Sequence, residues 1–77
     1  MIYCVEDDQS IRDLMLYTLN TAGFSANGFP DSVPFWAAMK LETPDLILLD
    51  IMLPGLDGLG VLRKMRSEKI PTPVLML

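Results

Sequence analysis

Three carboxylates directly follow two of the most apolar stretches of the sequence. Glu6 and Asp7 come after the run IYCV, and Asp50 comes after LILL. Burial of an unpaired carboxylate is costly, so acids at such places need a partner or a chemical use. If the two runs are neighbouring parallel strands, their carboxyl ends bring the three acids together. Protonation of one acid or a bound hard cation would relieve the repulsion, and Mg²⁺ favours a few carboxylates combined with water and phosphate oxygens.

Composition limits the classes of protein to which this chain can belong. Its 77 residues are 51% hydrophobic and 21% charged, which is typical of one small folded domain rather than a disordered chain. A net charge of −4 argues against binding to nucleic acid or to an anionic membrane. The apolar runs are too short to span a bilayer. Cys4 has no disulfide partner and there is no histidine, so we expect a cytoplasmic protein whose chemistry depends on carboxylates.

Apolar periodicity predicts alternating strands and helices. Asp8 and Asp31 are the expected N-caps of the first two helices, Gly23 ends the first helix, and Asp57 or Gly58 begins the third. The predicted strands are residues 2–5, 24–29, 46–49 and 74–77. The run at 46–49 lacks polar alternation, which indicates a central strand covered on both faces. This order predicts an α/β fold with a doubly wound parallel sheet.

The helices are expected to turn specific apolar faces toward the sheet. The predicted inward residues are Ile11, Leu14, Met15, Thr18, Leu19 and Ala22 in the first helix, Val33, Trp36, Ala37 and Leu41 in the second, and Leu59, Leu62 and Met65, with Val61 spaced from Met65, in the third. Arg63, Lys64 and Arg66 are expected to face solvent.

Three segments, VEDDQSIR, PDLILLDIMLPGLDGLGVLRKMR and TPVLML, closely resemble the receiver domain of bacterial response regulators. The resemblance covers nearly the whole chain, with the motifs in the family's order and separations. It implies the flavodoxin-like receiver fold with strand order 2-1-3-4. It also implies a parent protein of the winged-helix transcriptional regulator class.

The same resemblance implies roles for particular residues. Asp50 corresponds to the phosphoacceptor, Asp7 to a direct Mg²⁺ ligand and Glu6 to a ligand acting through water. Met52 corresponds to the position whose backbone carbonyl also binds the metal. The implied phosphoryl donor is a phosphohistidine on a sensor histidine kinase.

The sequence departs from the family pattern at its C-terminal end. The family's hydroxyl residue after the fourth strand and the lysine after the fifth have no counterpart in residues 1–77. The expectation is therefore a single truncated receiver domain, with DNA bound only through an absent output domain. Its exposed fourth strand or uncovered apolar face would join two or more copies.

Three other readings stay open from the residues alone. A Mg²⁺-dependent aspartyl phosphohydrolase also places a nucleophilic aspartate after a strand, but usually has a second acid where Met52 stands. A nucleotide-binding module is suggested by GLDGLG at residues 55–60, although its glycine order is not that of the dinucleotide fingerprint. An inert structural fragment is the third.

Overall fold

The computed structural model describes residues 1–50 and 58–77 and contains alternating strands and helices. In chain order they are β1 (Ile2–Val5), α1 (Gln9–Thr21), β2 (Ala26–Phe29), α2 (Ser32–Leu41), β3 (Leu46–Leu49), α3 (Gly58–Ser67) and β4 (Val74–Met76). The predicted order of elements is confirmed, with β2 starting two residues later than expected and β4 ending one residue earlier. The predictions for Met52 and for Asp57 as a possible start of the third helix fall on residues 51–57, outside the described residues.

The four strands form one parallel sheet in the order β2-β1-β3-β4, as predicted. β1 therefore lies between β2 and β3. Val5, its last residue, is in register with Phe29 of β2 and with Leu49 of β3. The carboxyl ends of these three strands consequently meet at one edge of the sheet.

The core lies mainly on the face of the sheet that α2 and α3 cover. Its buried residues are Tyr3, Val5, Phe35, Met39, Ile47, Leu49, Val61 and Met65. The expectation that β3 is a central strand is confirmed, because it lies between β1 and β4, but its two faces are not buried to the same extent. Ile47 and Leu49 are fully buried, but Leu46 and Leu48 on the other face are only partly buried.

The predicted inward face of α2 is wrong except at Trp36, which is partly buried and packs against the core. Phe35 and Met39 are its buried residues, whereas Val33 and Leu41 are 77% and 89% exposed. This helix has apolar residues all around it, so periodicity alone does not select a face. Packing against the sheet makes the selection.

In α3, the inward position of Met65 and the outward positions of Arg63, Lys64 and Arg66 are confirmed. Val61 is buried beside Met65, but Leu59 is exposed, contrary to the prediction.

The predicted caps of α1 are confirmed, but its apolar face is not buried. The Asp8 side chain accepts a hydrogen bond from the backbone N–H of Ile11, and Gly23 follows the helix at φ 95°. No residue of α1 is buried. Its apolar residues line an open groove of about 330 Å³ together with side chains from β3 and the chain end: Ile11, Leu14, Met15, Thr18, Leu19, Leu48 and Leu77. Within the described ranges, no helix is long and apolar enough to cross a membrane.

Candidate metal centre

Backbone hydrogen bonds hold Glu6 at the carboxyl end of β1. Its N–H donates to the carbonyl oxygen of Phe29 at 3.0 Å, which extends the pairing with β2 by one residue. Two residues later, Asp8 caps α1 through a 3.0 Å bond from the N–H of Ile11. Because strand pairing ends at Glu6 and the helix cap is Asp8, Asp7 lies in a very short turn whose two sides are both hydrogen-bonded.

Asp50 is held at the same edge of the sheet. Its N–H donates to the carbonyl oxygen of Val5 at 3.1 Å, which continues the pairing of β3 with β1. β4 supports β3 from the other side, where the N–H of Leu77 donates to the carbonyl oxygen of Leu49 at 2.9 Å. The acid after β3 is thus fixed next to the acids after β1.

The three carboxylates form one cluster. One carboxylate oxygen from each of Glu6, Asp7 and Asp50 lies within 4.8 Å of the other two. Glu6 is only 5% exposed, Asp50 is partly buried and Asp7 is exposed. The structure therefore brings together the three acids selected from the sequence, with the cluster open to solvent on the Asp7 side.

Proximity and burial change the acidity of Glu6. A side-chain hydrogen bond with Asp50, loss of solvent, and repulsion from Asp50 and then Asp7 raise its pKa from 4.5 to about 7. The backbone N–H of Asp8 opposes these effects by favouring the ionised form. Below about pH 7, the Glu6 carboxyl therefore holds its proton in the absence of a cation, where a free glutamate would already be ionised.

The donor set fits a hard divalent cation. All three groups offer carboxylate oxygens, the ligand type that Mg²⁺ prefers, and two to three carboxylates leave coordination positions for water or phosphate. The raised pKa of Glu6 indicates that positive charge at the cluster is favourable, because repulsion from Asp50 and Asp7 contributes to it. A divalent cation would supply that charge in place of the proton.

The sequence did not reveal one residue that contacts this site. Arg12, at the end of the first turn of α1, donates a hydrogen bond to the backbone carbonyl oxygen of Glu6 at 2.8 Å. The sequence offered one signal for this contact. Arg12 is a charged residue only six positions after Glu6, in a helix that otherwise has an apolar face. Opposite it, Gly28 of β2 lies against the Arg12 side chain.

Comparison with known proteins identifies a matching family. Residues 2–77 match the sequence model of the response regulator receiver domain. The transcriptional regulatory protein CseB of Streptomyces coelicolor is 41% identical over 73 residues, which cover 95% of this chain and 31% of that protein. The alkaline phosphatase synthesis transcriptional regulatory protein PhoP of Bacillus subtilis is 40% identical over 76 residues, covering 99% of this chain and 32% of that protein.

Solved structures agree with the sequence matches. The receiver domain of NtrX from Brucella abortus has a TM-score of 0.88 and 35% identity, covering 99% of this chain and 65% of that one. Full-length FixJ from B. japonicum has a TM-score of 0.89 and 33% identity, covering 97% of this chain and 37% of that one. The chain thus spans about a third of the length of the curated relatives named above.

Proposed function

We propose that this chain, which belongs to the receiver domains of two-component response regulators, accepts a phosphoryl group on Asp50. The observation that carries the proposal is the approach of one oxygen each of Glu6, Asp7 and Asp50 to within 4.8 Å at the ends of β1 and β3. Asp50 is the member at the end of β3, the strand that lies between β1 and β4, and the family resemblance assigns the nucleophile to this position.

In the proposed reaction, a carboxylate oxygen of Asp50 attacks the phosphorus atom of a phosphohistidine. The new O–P bond forms as the P–N bond breaks, and the departing imidazole nitrogen keeps the electron pair and takes a proton from solvent. The product is an aspartyl phosphate. Backbone bonds on both sides of β3 hold Asp50 in place, so little orientational freedom is lost on attack.

Asp7, Asp50 and the backbone carbonyl of Met52 would hold Mg²⁺, with Glu6 acting through water. When bound, the ion supplies positive charge against the phosphoryl oxygens and the acidic cluster. Release of the proton held by Glu6 would accompany metal binding, because the cation then takes over the neutralisation of the cluster.

The proposed partners follow from the relatives. A sensor histidine kinase would donate the phosphoryl group, and transcriptional control through a DNA-binding output domain is proposed because CseB and PhoP are transcriptional regulatory proteins. A cytoplasmic location is part of the same proposal, since Cys4 is a free, buried thiol as in reducing compartments.

Phosphorylation from acetyl phosphate with Mg²⁺ tests the proposal. The wild-type chain should gain one phosphoryl group by intact mass, and the adduct should be lost with hydroxylamine, as expected for an acyl phosphate. Asp50→Asn should abolish the gain. Asp13→Asn, at an exposed acid on α1, is the matched control and should react like wild type. Equal labelling of Asp50→Asn and wild type would refute the assignment.

The same experiment separates a phosphoacceptor from an aspartyl phosphohydrolase. An acceptor releases phosphate no faster than its own adduct decays, and it does not hydrolyse small phosphate esters. Sustained release of phosphate from such esters, lost in Asp50→Asn, would favour the hydrolase.

We also propose that two copies associate through β4 and the apolar groove. β4 pairs with β3 alone among the described strands, so its other edge offers unpaired backbone groups. Leu75 within β4 and Leu77 directly after it are more than half exposed. Light scattering should give a dimeric mass at micromolar concentration, and Leu75→Lys should lower it to that of a monomer. A monomeric wild-type mass would refute this part.

A further inference from the structure

Arg12 connects the acidic turn to the first helix through both its backbone and its side chain. Its N–H donates to the carbonyl oxygen of Asp8 at 2.9 Å. Its guanidinium Nη1 donates to the carbonyl oxygen of Glu6 at 2.8 Å and, more weakly, to that of Asp7 at 3.4 Å. One residue therefore contacts all three consecutive peptide groups that follow β1.

A glycine in the neighbouring strand makes room for this side chain. A Cβ atom on Gly28 would lie 2.8 Å from Cγ and 3.0 Å from Cδ of Arg12, which is closer than carbon atoms normally approach. It would also lie 3.0 Å from Cδ1 of Leu16, the end of a side chain, whereas the two Arg12 atoms belong to the middle of the arginine stem. Gly28 is in register with Cys4 of β1, so the stem of Arg12 crosses β2 two residues before the acidic turn. Glycine is unfavourable inside a strand, and close approach of another group is a common reason for its presence.

We infer that Arg12 is a positioning residue for the proposed metal site, and that Gly28 provides the space that its side chain requires. The two hydrogen bonds from the guanidinium fix the orientation of the peptide groups that carry Glu6 and Asp7. This inference rests on the proposed function, because it assigns Arg12 a role in cation binding by those carboxylates. Loss of such supporting contacts typically weakens metal binding by about 10- to 100-fold.

Charge and positioning predict opposite effects of removing the guanidinium. A positive charge beside the acids repels Mg²⁺, so its removal should strengthen binding if charge alone mattered. If positioning dominates, removal should weaken binding, because the turn loses its fixed geometry. The direction of the change in Mg²⁺ affinity therefore distinguishes the two roles.

The test compares Arg12→Met, which keeps an unbranched side chain without a donor, with Arg12→Lys, which keeps the charge. Calorimetric titration with MgCl₂, at a temperature where every variant is folded, should show about tenfold weaker binding for Arg12→Met. Arg12→Lys should recover part of the loss. Arg63→Met, at an exposed position on α3, is the control and should bind like wild type. Unchanged or tighter binding by Arg12→Met would overturn the inference.

Gly28→Ala tests the route of the side chain independently. It should weaken Mg²⁺ binding in the same direction, whereas Asn27→Ala, at the exposed neighbouring position, should not. If the effect of Gly28→Ala on metal binding passes through the Arg12 side chain and not through Leu16, Arg12→Met combined with Gly28→Ala should bind no more weakly than Arg12→Met alone. Additive losses would show that the two residues act separately.

Hydrogen exchange in the absence of metal separates this inference from the proposed function. Arg12→Met should speed exchange of the Asp7 and Asp8 amides more than the exchange of the β3 amides. If wild type binds no Mg²⁺ while this local change occurs, the proposed metal site fails but the positioning role of Arg12 in the turn stands. If exchange of the turn is unchanged, the positioning role fails whatever the metal affinity.

Discussion

Replacement of Glu6 by glutamine should remove a specific pH dependence from the stability of the metal-free chain. The folded-state pKa of Glu6 is about 7, against 4.5 for an unperturbed glutamate. Below the lower value, both folded and unfolded chains hold the proton, so its contribution to stability is complete. Between the two values only the folded chain holds it, and above about 7 both release it. Stability therefore falls as pH rises through this window.

The size of the effect follows from the displacement of the pKa. At about 1.4 kcal/mol per pH unit, the wild-type chain should lose roughly 3 kcal/mol of unfolding free energy relative to Glu6→Gln between about pH 4 and pH 8. Glu6 is 5% exposed, so screening by solvent is weak. For a small domain with an unfolding free energy of roughly 5 kcal/mol, such a loss is large.

Urea denaturation at several pH values measures this difference, with EDTA present to remove metal. Glu68→Gln, at an exposed position after α3, is the control and should leave the difference from wild type nearly constant with pH. In the wild type, Mg²⁺ should stabilise more strongly at about pH 8 than at about pH 5, because the ion and the proton compete for the same cluster. A constant stability difference between wild type and Glu6→Gln across the window would refute the reasoning.

Two further predictions concern packing and a helix end. Met65 is fully buried, whereas Leu59 on the same helix is 55% exposed. Measured by urea denaturation, Met65→Ala should lower the free energy of unfolding by about 2–4 kcal/mol and Leu59→Ala by less than about 0.5 kcal/mol. Equal losses would contradict the assigned face of α3. Lys69, after α3, adopts a left-handed conformation with φ 59°. Its N–H and that of Ile70 donate hydrogen bonds back to carbonyl oxygens of the helix. Gly23 occupies the equivalent position after α1 with φ 95°. Lys69→Gly should therefore raise the free energy of unfolding by about 0.5–1 kcal/mol and with it the thermal midpoint, while Gly23→Ala should lower both. A lower midpoint for Lys69→Gly would show that the lysine side chain contributes more to stability than the backbone strain costs.

The order of elements and the acidic cluster were predictable because they depend on local patterns and on one topological rule. Short apolar runs followed by acids mark strand ends, and parallel strands present those ends at one edge. Capping by Asp8 likewise needed only the residues around it. These features do not depend on details of tertiary packing.

The faces of the helices were less predictable because they depend on what the rest of the chain covers. α2 is apolar on every side, so Phe35 and Met39 were selected by contact with the sheet and not by spacing. The contact of Arg12 with Glu6 was missed for a similar reason. It requires Gly28, from a strand that is distant in sequence, to lie beneath the arginine side chain.

The central position of β1 has a consequence for how the chain folds. Ile2 pairs with Leu46, and the N-terminal amine forms a 2.8 Å ion pair with Asp45, across a separation of 44 residues. During synthesis β1 emerges well before β3, its second neighbour in the sheet. Until residue 50 has left the ribosome, the unpaired backbone edge of β1 and its apolar side chains are available to other chains. High contact order of this kind slows folding and lengthens that exposure. Nascent chains that stall before residue 46 should therefore be especially dependent on chaperones.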